Sequence, residues 1–118
     1  MSRALETVRD LKVHFVGLAN PTRLAIVSLL ARRDMAGSEL ARKLKLSQPL
    51  LSWHLRVMRR AGLIATRRAG REVLCSLDRA GIRAHQARFN QLIGNDGTAG
   101  KLAAGPATGP IKETANAI

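Results

Sequence analysis

The chain of 118 residues carries twenty Lys plus Arg against eight Asp plus Glu, a formal charge of +12, and has room for one domain around a single modest core. Eighteen of those basic residues and six of the acidic ones fall within 1–94, so the surplus belongs to the part expected to fold, where it favours a polyanionic partner by releasing condensed counterions. Solubility alone, RNA and an anionic membrane are the other readings of such a charge. No apolar run reaches the roughly 20 residues of a membrane span, and the start, with Ser2, Arg3 and Glu6, lacks the pattern of a signal peptide. A cytoplasmic setting with no membrane partner is expected, and the single cysteine, Cys75, agrees with a reducing compartment.

Residues 4–17 place Leu5, Val8, Leu11 or Lys12, Phe15 and Val16 at helical spacing. Asn20 then stands as an N-cap before Pro21, and Leu24, Ile26, Val27, Leu29 and Leu30 follow in a helix apolar enough to be central. Asp34 to Gly37 breaks the pattern. A short helix over 37–44 buries Leu40, Ala41 and Leu44, Lys45 and Leu46 make a turn, and Ser47 caps the next helix, in whose first turn Pro49 is tolerated because those amides lack intrahelical acceptors. In that helix Leu51, Leu55 and Met58 point inward, while Pro49, Trp53, Arg56 and Arg60 form the opposite stripe with Ser52 beside it.

Gly62 ends the helix at a position suited to a left-handed cap. Two strands, 64–68 and 72–77, are expected around a turn at Ala69 and Gly70, and Asp78 caps a last helix reaching about Ile93 with Ile82, Phe89, Leu92 and Ile93 as its apolar stripe. From Asn95 the composition shifts to Gly, Ala, Thr and Pro, which suggests a flexible tail over 95–118 after a single domain over 1–94. The fold class is mainly α with a small β-hairpin, a helix-turn-helix followed by a basic wing. Six arginines and no acidic residue lie between Arg56 and Arg71, which makes duplex DNA the natural partner.

The stretches LANPTRLAIVSLL (18–30) and SELARKLKLSQPLLSWHLRVMRRAGLIATRRAGR (38–71) resemble the ArsR/SmtB family of winged helix-turn-helix repressors, with the likeness covering 15–77. The resemblance implies about five helices plus a two-stranded wing, and a homodimer joined by its first and last helices that binds an inverted-repeat operator and is released by an inducer. Matched position by position, the DNA-reading helix supplies Ser47, Gln48, Pro49, Ser52, Trp53, His54 and Arg56. Gln48 suits an adenine edge, Arg56 a guanine or a phosphate, and the two serines phosphate oxygens. Arg67, Arg68 and Arg71 match the wing, which approaches the DNA backbone or minor groove.

Trp53 has two candidate roles, contact with a sugar or thymine methyl, or packing against its own helix and the wing. For His54 a structural bond to backbone near the wing and a DNA contact stand equal. The metal-sensing members carry a Cys-x-Cys where this chain has Ala36 and Ser38, and His14, His54, Cys75 and His85 have no chelating spacing, so neither a metal nor any other cofactor is expected and the effector is unidentified. His14 and His85 do fall on the two helices expected to pair, which leaves open an interfacial site or a pH-sensitive contact. Cys75 reads most simply as a small buried residue. A nonspecific basic DNA-binding or architectural protein is the alternative function. An enzyme is not expected, because there is no glycine-rich phosphate loop, no motif of paired carboxylates and no base beside Cys75.

Overall fold

A computed structural model describes residues 3–94; the tail expected over 95–118 lies outside the described residues. In chain order the elements are α1 (Arg3–Leu18), α2 (Pro21–Arg32), β1 (Met35–Ala36), α3 (Gly37–Leu44), α4 (Gln48–Arg60), β2 (Ile64–Ala69), β3 (Glu72–Leu77) and α5 (Arg79–Leu92). The segment up to Gln86 forms one compact unit, and the continuation of α5 from Ala87 belongs to a second, in which the backbone bond from Ile93 N–H to the Phe89 carbonyl keeps the helical pitch.

The caps that set the helix boundaries are local and follow the sequence. Asn20 Oδ1 accepts from the Arg23 N–H at 3.0 Å, Ser47 Oγ from the Leu50 N–H at 3.3 Å, and Asp78 Oδ1 from the Gly81 N–H at 2.9 Å. At the end of α4, Gly62 takes φ 72°, its N–H donates to the Arg59 carbonyl and the Leu63 N–H donates to the Met58 carbonyl, the paired bonds of a Schellman motif. The turn between α3 and α4 repeats the device without a glycine: Lys45 sits at φ 57°, its N–H reaches the Arg42 carbonyl and the Leu46 N–H the Ala41 carbonyl.

The core lies where α2, α3, α4 and the sheet meet. Ile26, Leu40, Met58, Leu63 and Cys75 are sealed from solvent, with Leu30 and Leu51 nearly so. Leu24 is half-exposed, so α2 is less central than its composition suggests; it sits on the side of the helix opposite Ile26, and the helix meets the core along only one stripe. On α1 the inward positions are Leu11, His14 and Gly17, which leaves Leu5, Val8, Val13 and Val16 about half exposed.

The expected two-stranded wing is the outer part of a three-stranded antiparallel sheet ordered β1-β3-β2. Met35 pairs with Cys75 and Ala36 with Leu74, a strand of two residues within the segment read as a break. The hairpin register runs from Ile64 opposite Leu77 to Ala69 opposite Glu72, so the loop is Gly70 and Arg71, one residue later than the sequence suggests, with Gly70 at φ 66°.

Helices α1 and α4 touch at Gly17. A Cβ there would lie 2.5 Å from the Ala61 Cβ, which is fixed to the backbone, and 3.2 Å from Cδ1 of Leu63, which is sealed in the core. Gly17→Ala is therefore expected to lower folding stability by about 1–3 kcal/mol, the usual effect of an overfilled core, as a fall in urea midpoint with unchanged slope.

Candidate nucleic-acid interface

The face of α4 that the fold leaves outward is polar and basic. Ser47, Gln48, Pro49, Ser52, Trp53 and Arg56 are all exposed, as are Arg59 and Arg60. Between this face, the start of α3 and the tip of the wing lies an open cleft of about 470 Å³. Gln48, Ser52, Arg56 and Arg59 line it from α4, Ser38 from α3, and Arg71 and Glu72 from the wing. The fold thus brings four of the sequence-identified residues, Gln48, Ser52, Arg56 and Arg71, around one concavity. Arg67 and Arg68 stand back from the tip on β2, opposite Leu74 and Val73, with their side chains in solvent.

Arg59 was missed as a cleft residue although its spacing reveals it, since it follows Ser52 by seven positions and Arg56 by three and so shares their face. Ser38 and Glu72 were missed because they meet only through the tertiary fold. The Ser38 hydroxyl donates to the Glu72 carboxylate, 2.9 Å from Oε2 and 3.1 Å from Oε1, and so ties the first turn of α3 to the start of β3, next to Arg71.

His54 stands apart from the other positions named for DNA. It is 5% exposed, pointing into the protein, because the inward stripe of α4 is wide enough to include the position before Leu55. Its partner is a side chain, not wing backbone: Arg23 Nη1–H donates to His54 Nδ1 at 3.0 Å, which fixes the neutral ring with its hydrogen on Nε2. The same guanidinium, itself 6% exposed, donates from Nε to the Gly17 carbonyl at 2.8 Å and from Nη2 to the Val16 carbonyl at 3.3 Å. Its carbon lies 5.5 Å from the centre of the Trp53 ring, which packs against His54 edge to face at 4.9 Å. Trp53 is still 48% exposed, so one side of the indole meets Arg23 while the other meets solvent.

Burial, and then the charge on Arg23, lower the pKa of His54. Cys75, at the centre of the sheet opposite Met35 and Thr66, has its thiol pKa raised by burial, which outweighs the opposing charge of Arg59 and keeps the sulfur protonated. Among the described residues no three of His, Cys, Asp and Glu converge on a point where they could hold a metal ion.

Two predictions follow from this joint. Arg23→Met keeps most of the side-chain bulk but takes the donor from the Gly17 carbonyl and the His54 ring nitrogen and leaves the Val16 carbonyl only the Ala19 N–H, and should cost about 3 kcal/mol in urea unfolding; Arg23→Lys should recover less than half, since an ammonium cannot present the fork. For pH, the unfolded chain protonates His54 near the ordinary value of about 6.5 while the folded chain resists, so stability present above that pH is lost as pH falls. The fall in urea midpoint between pH 7.5 and 5.5 should shrink in His54→Asn, whose amide oxygen can accept from Arg23 at any pH.

Comparison with known proteins agrees with this geometry. Residues 20–66 match the model of the bacterial regulatory protein, arsR family. The chain is 40% identical over 80 residues to the HTH-type transcriptional regulator Rv2034 of Mycobacterium tuberculosis, which covers 68% of this chain and 75% of that protein. It is 36% identical over 74 residues to a transcriptional repressor SmtB homolog of Synechocystis, 63% of this chain but only 56% of that protein, so it spans little more than half the length of that relative. The solved structure of an ArsR-like transcriptional regulator from Rhodococcus superposes with a TM-score of 0.67 at 30% identity, over 84% of this chain and 92% of that one. No single helix among the described residues is long and apolar enough to cross a membrane.

Proposed function

The chain belongs to the arsR family of bacterial regulatory proteins, and we propose that it is a cytoplasmic, homodimeric transcriptional repressor that reads an inverted-repeat operator in duplex DNA. The observation that carries this reading is the cleft between α4 and the wing, where Gln48, Ser52, Arg56, Arg59 and Arg71 converge on an exposed and strongly basic surface. A helix with one face buried and the other polar can lie in the major groove, where Gln48 offers a donor and an acceptor to an adenine edge and Arg56 a fork to guanine. Ser47 and Ser52 suit phosphate oxygens. The wing arginines, Arg67, Arg68 and Arg71, supply charge to the backbone or minor groove. Trp53, held by Arg23 on one side, has its exposed side free for a sugar or a thymine methyl. His54 does its work from inside, by fixing Arg23 and hence the seating of α4.

Pairing rests on the apolar side chains that the fold leaves outside. Leu5, Val8, Val13 and Val16 on α1 and Leu92 and Ile93 at the end of α5 are each about half exposed or more, beyond what scattered surface residues explain. An isologous dimer covers such residues and matches the two-fold symmetry of an inverted repeat. In this reading residues 1–94 supply both DNA binding and dimerisation.

Sedimentation at micromolar concentration should show dimers, and monomers alone would refute the pairing. On the operator, Gln48→Ala or Arg56→Ala should each cost about 1–3 kcal/mol and relax preference at particular base pairs. Arg67→Ala or Arg71→Ala should instead weaken binding to all sequences and flatten the plot of log K against log salt by about one unit per lost contact, two such contacts per dimer. Preference for the operator over random DNA should reach about 10³ at physiological salt, whereas an architectural protein would show little preference.

A further inference from the structure

The function proposed above makes no use of a second buried cluster, on the side of Ala61 where α1 and α5 meet the end of α4. His14, on α1, is 2% exposed, and its Nδ1–H donates to the Ala61 carbonyl at 2.6 Å. Its ring lies flat on that of His85, with centroids 4.1 Å apart and planes 5° from parallel. His85 Nδ1–H in turn donates to the Gly81 carbonyl one turn back on α5, at 2.7 Å. Room for the second ring comes from Gly62, where a Cβ would lie 2.9 Å from His85 Cε1. The left-handed glycine that ends α4 is thus also the floor on which α5 rests.

We propose that the stacked pair His14 and His85 is a proton-operated latch, in which one added proton is tolerated and a second forces the first turns of α5 off α1 and off the end of α4. Both Nδ1 hydrogens are committed to carbonyls, so each added proton must go to Nε2. The first leaves an imidazolium stacked on a neutral ring. The second puts two like charges face to face at 4.1 Å.

Among the described residues no charged group faces the rings to offset a double charge. Among the described residues neither ring is hydrogen-bonded to a carboxylate. His14 meets the Ala61 carbonyl, the edge of Phe15 and His85, and His85 meets Gly62 and the Gly81 carbonyl. Asp10 and Lys12 on α1, Arg59 and Arg60 on α4 and Arg83 on α5 are turned to solvent, and Asp78 is occupied with the Gly81 N–H. Burial lowers the pKa of His14; the Ala61 carbonyl opposes that effect, and the charge of His85 adds to it. Such a ring contributes stability that is complete above about pH 6.5 and is lost as pH falls through that value.

The effect on DNA binding rests on the reading of α1 and α5 as the pairing helices, but the latch itself does not. Hydrogen exchange on the full chain, read as protection factors of the amides of residues 82–86 at pH 7.5 and 5.5, tests it directly. The wild type should lose protection by about tenfold or more at pH 5.5 relative to pH 7.5. His85→Phe keeps the stack without the second charge and should lose clearly less protection than the wild type, as should the smaller uncharged His85→Gln, the remaining loss being that of His14 alone. Equal losses in the wild type and both variants, or no loss in the wild type, would overturn the latch. Sedimentation at the same two pH values separates the readings: loss of dimer at pH 5.5 in the wild type but not in His85→Phe supports both, whereas monomers at both pH values beside an opening latch support the latch and refute the dimer.

Discussion

The architecture depends on one buried cation. Arg23 sits in the first turn of α2 and spends its guanidinium on the Val16 and Gly17 carbonyls at the end of α1, on the His54 ring inside α4 and on the face of Trp53 at the surface of α4. A helix end leaves carbonyls without partners, and burying them costs free energy unless a donor arrives. Here the donor comes from the next helix and goes on to hold α4, the helix that carries Gln48, Ser52 and Arg56. Burial of a lone guanidinium would be prohibitive. Two carbonyls, a neutral imidazole and an indole face make it tolerable, and they do so only when α1, α2 and α4 are all in place.

This explains which parts of the molecule could be read from the sequence. Asn20, Ser47, Gly62 and Asp78 act within a few residues of themselves, so their roles as caps are visible in the string of residues. Gln48, Ser52, Arg56 and Arg71 were found because the α4 pattern and the family likeness both point to them, and the fold sets all four around one cleft. What escaped depends on long-range partners. Arg23 and His14 are polar residues that a sequence reading places outside, and only the arrival of His54, Ala61 and the end of α1 gives them reason to be buried. Strand β1 is two residues long and exists because β3 offers Leu74 and Cys75 as partners. A strand of one repeat shows no recurrence for periodicity to report.

The charge on the cleft is shaped as well as abundant. Glu72 is the acidic residue among its lining, and its carboxylate is occupied by the Ser38 hydroxyl, so it links α3 to the wing while Arg56, Arg59 and Arg71 stay in solvent around it. Screening weakens such charges with salt, yet a phosphate chain that enters the cleft meets several of them at once, and the counterions it releases favour the encounter. The other acidic residues seen in contacts are engaged elsewhere, Glu39 with Arg33 near the start of α3 and Asp78 at the cap of α5. The positive field is left concentrated where α4 and the wing converge.

The last residues of α4 join these features. Ala61 gives its carbonyl to His14 and its methyl to the tight approach of Gly17, while Gly62 turns the chain into β2 and supports His85. One short segment therefore touches α1 by two routes and α5 by a third, and it is continuous with the helix that displays Gln48, Ser52 and Arg56. A rigid helix carries a displacement at its C-terminus along its whole length, because its i to i+4 bonds leave few ways to absorb it locally. Arg23 grips the same helix near its middle through His54. Ala61 and Gly62 therefore hold the C-terminal end of α4 while Arg23 holds its middle, and the turn that carries Gln48 and Ser52 extends beyond both supports.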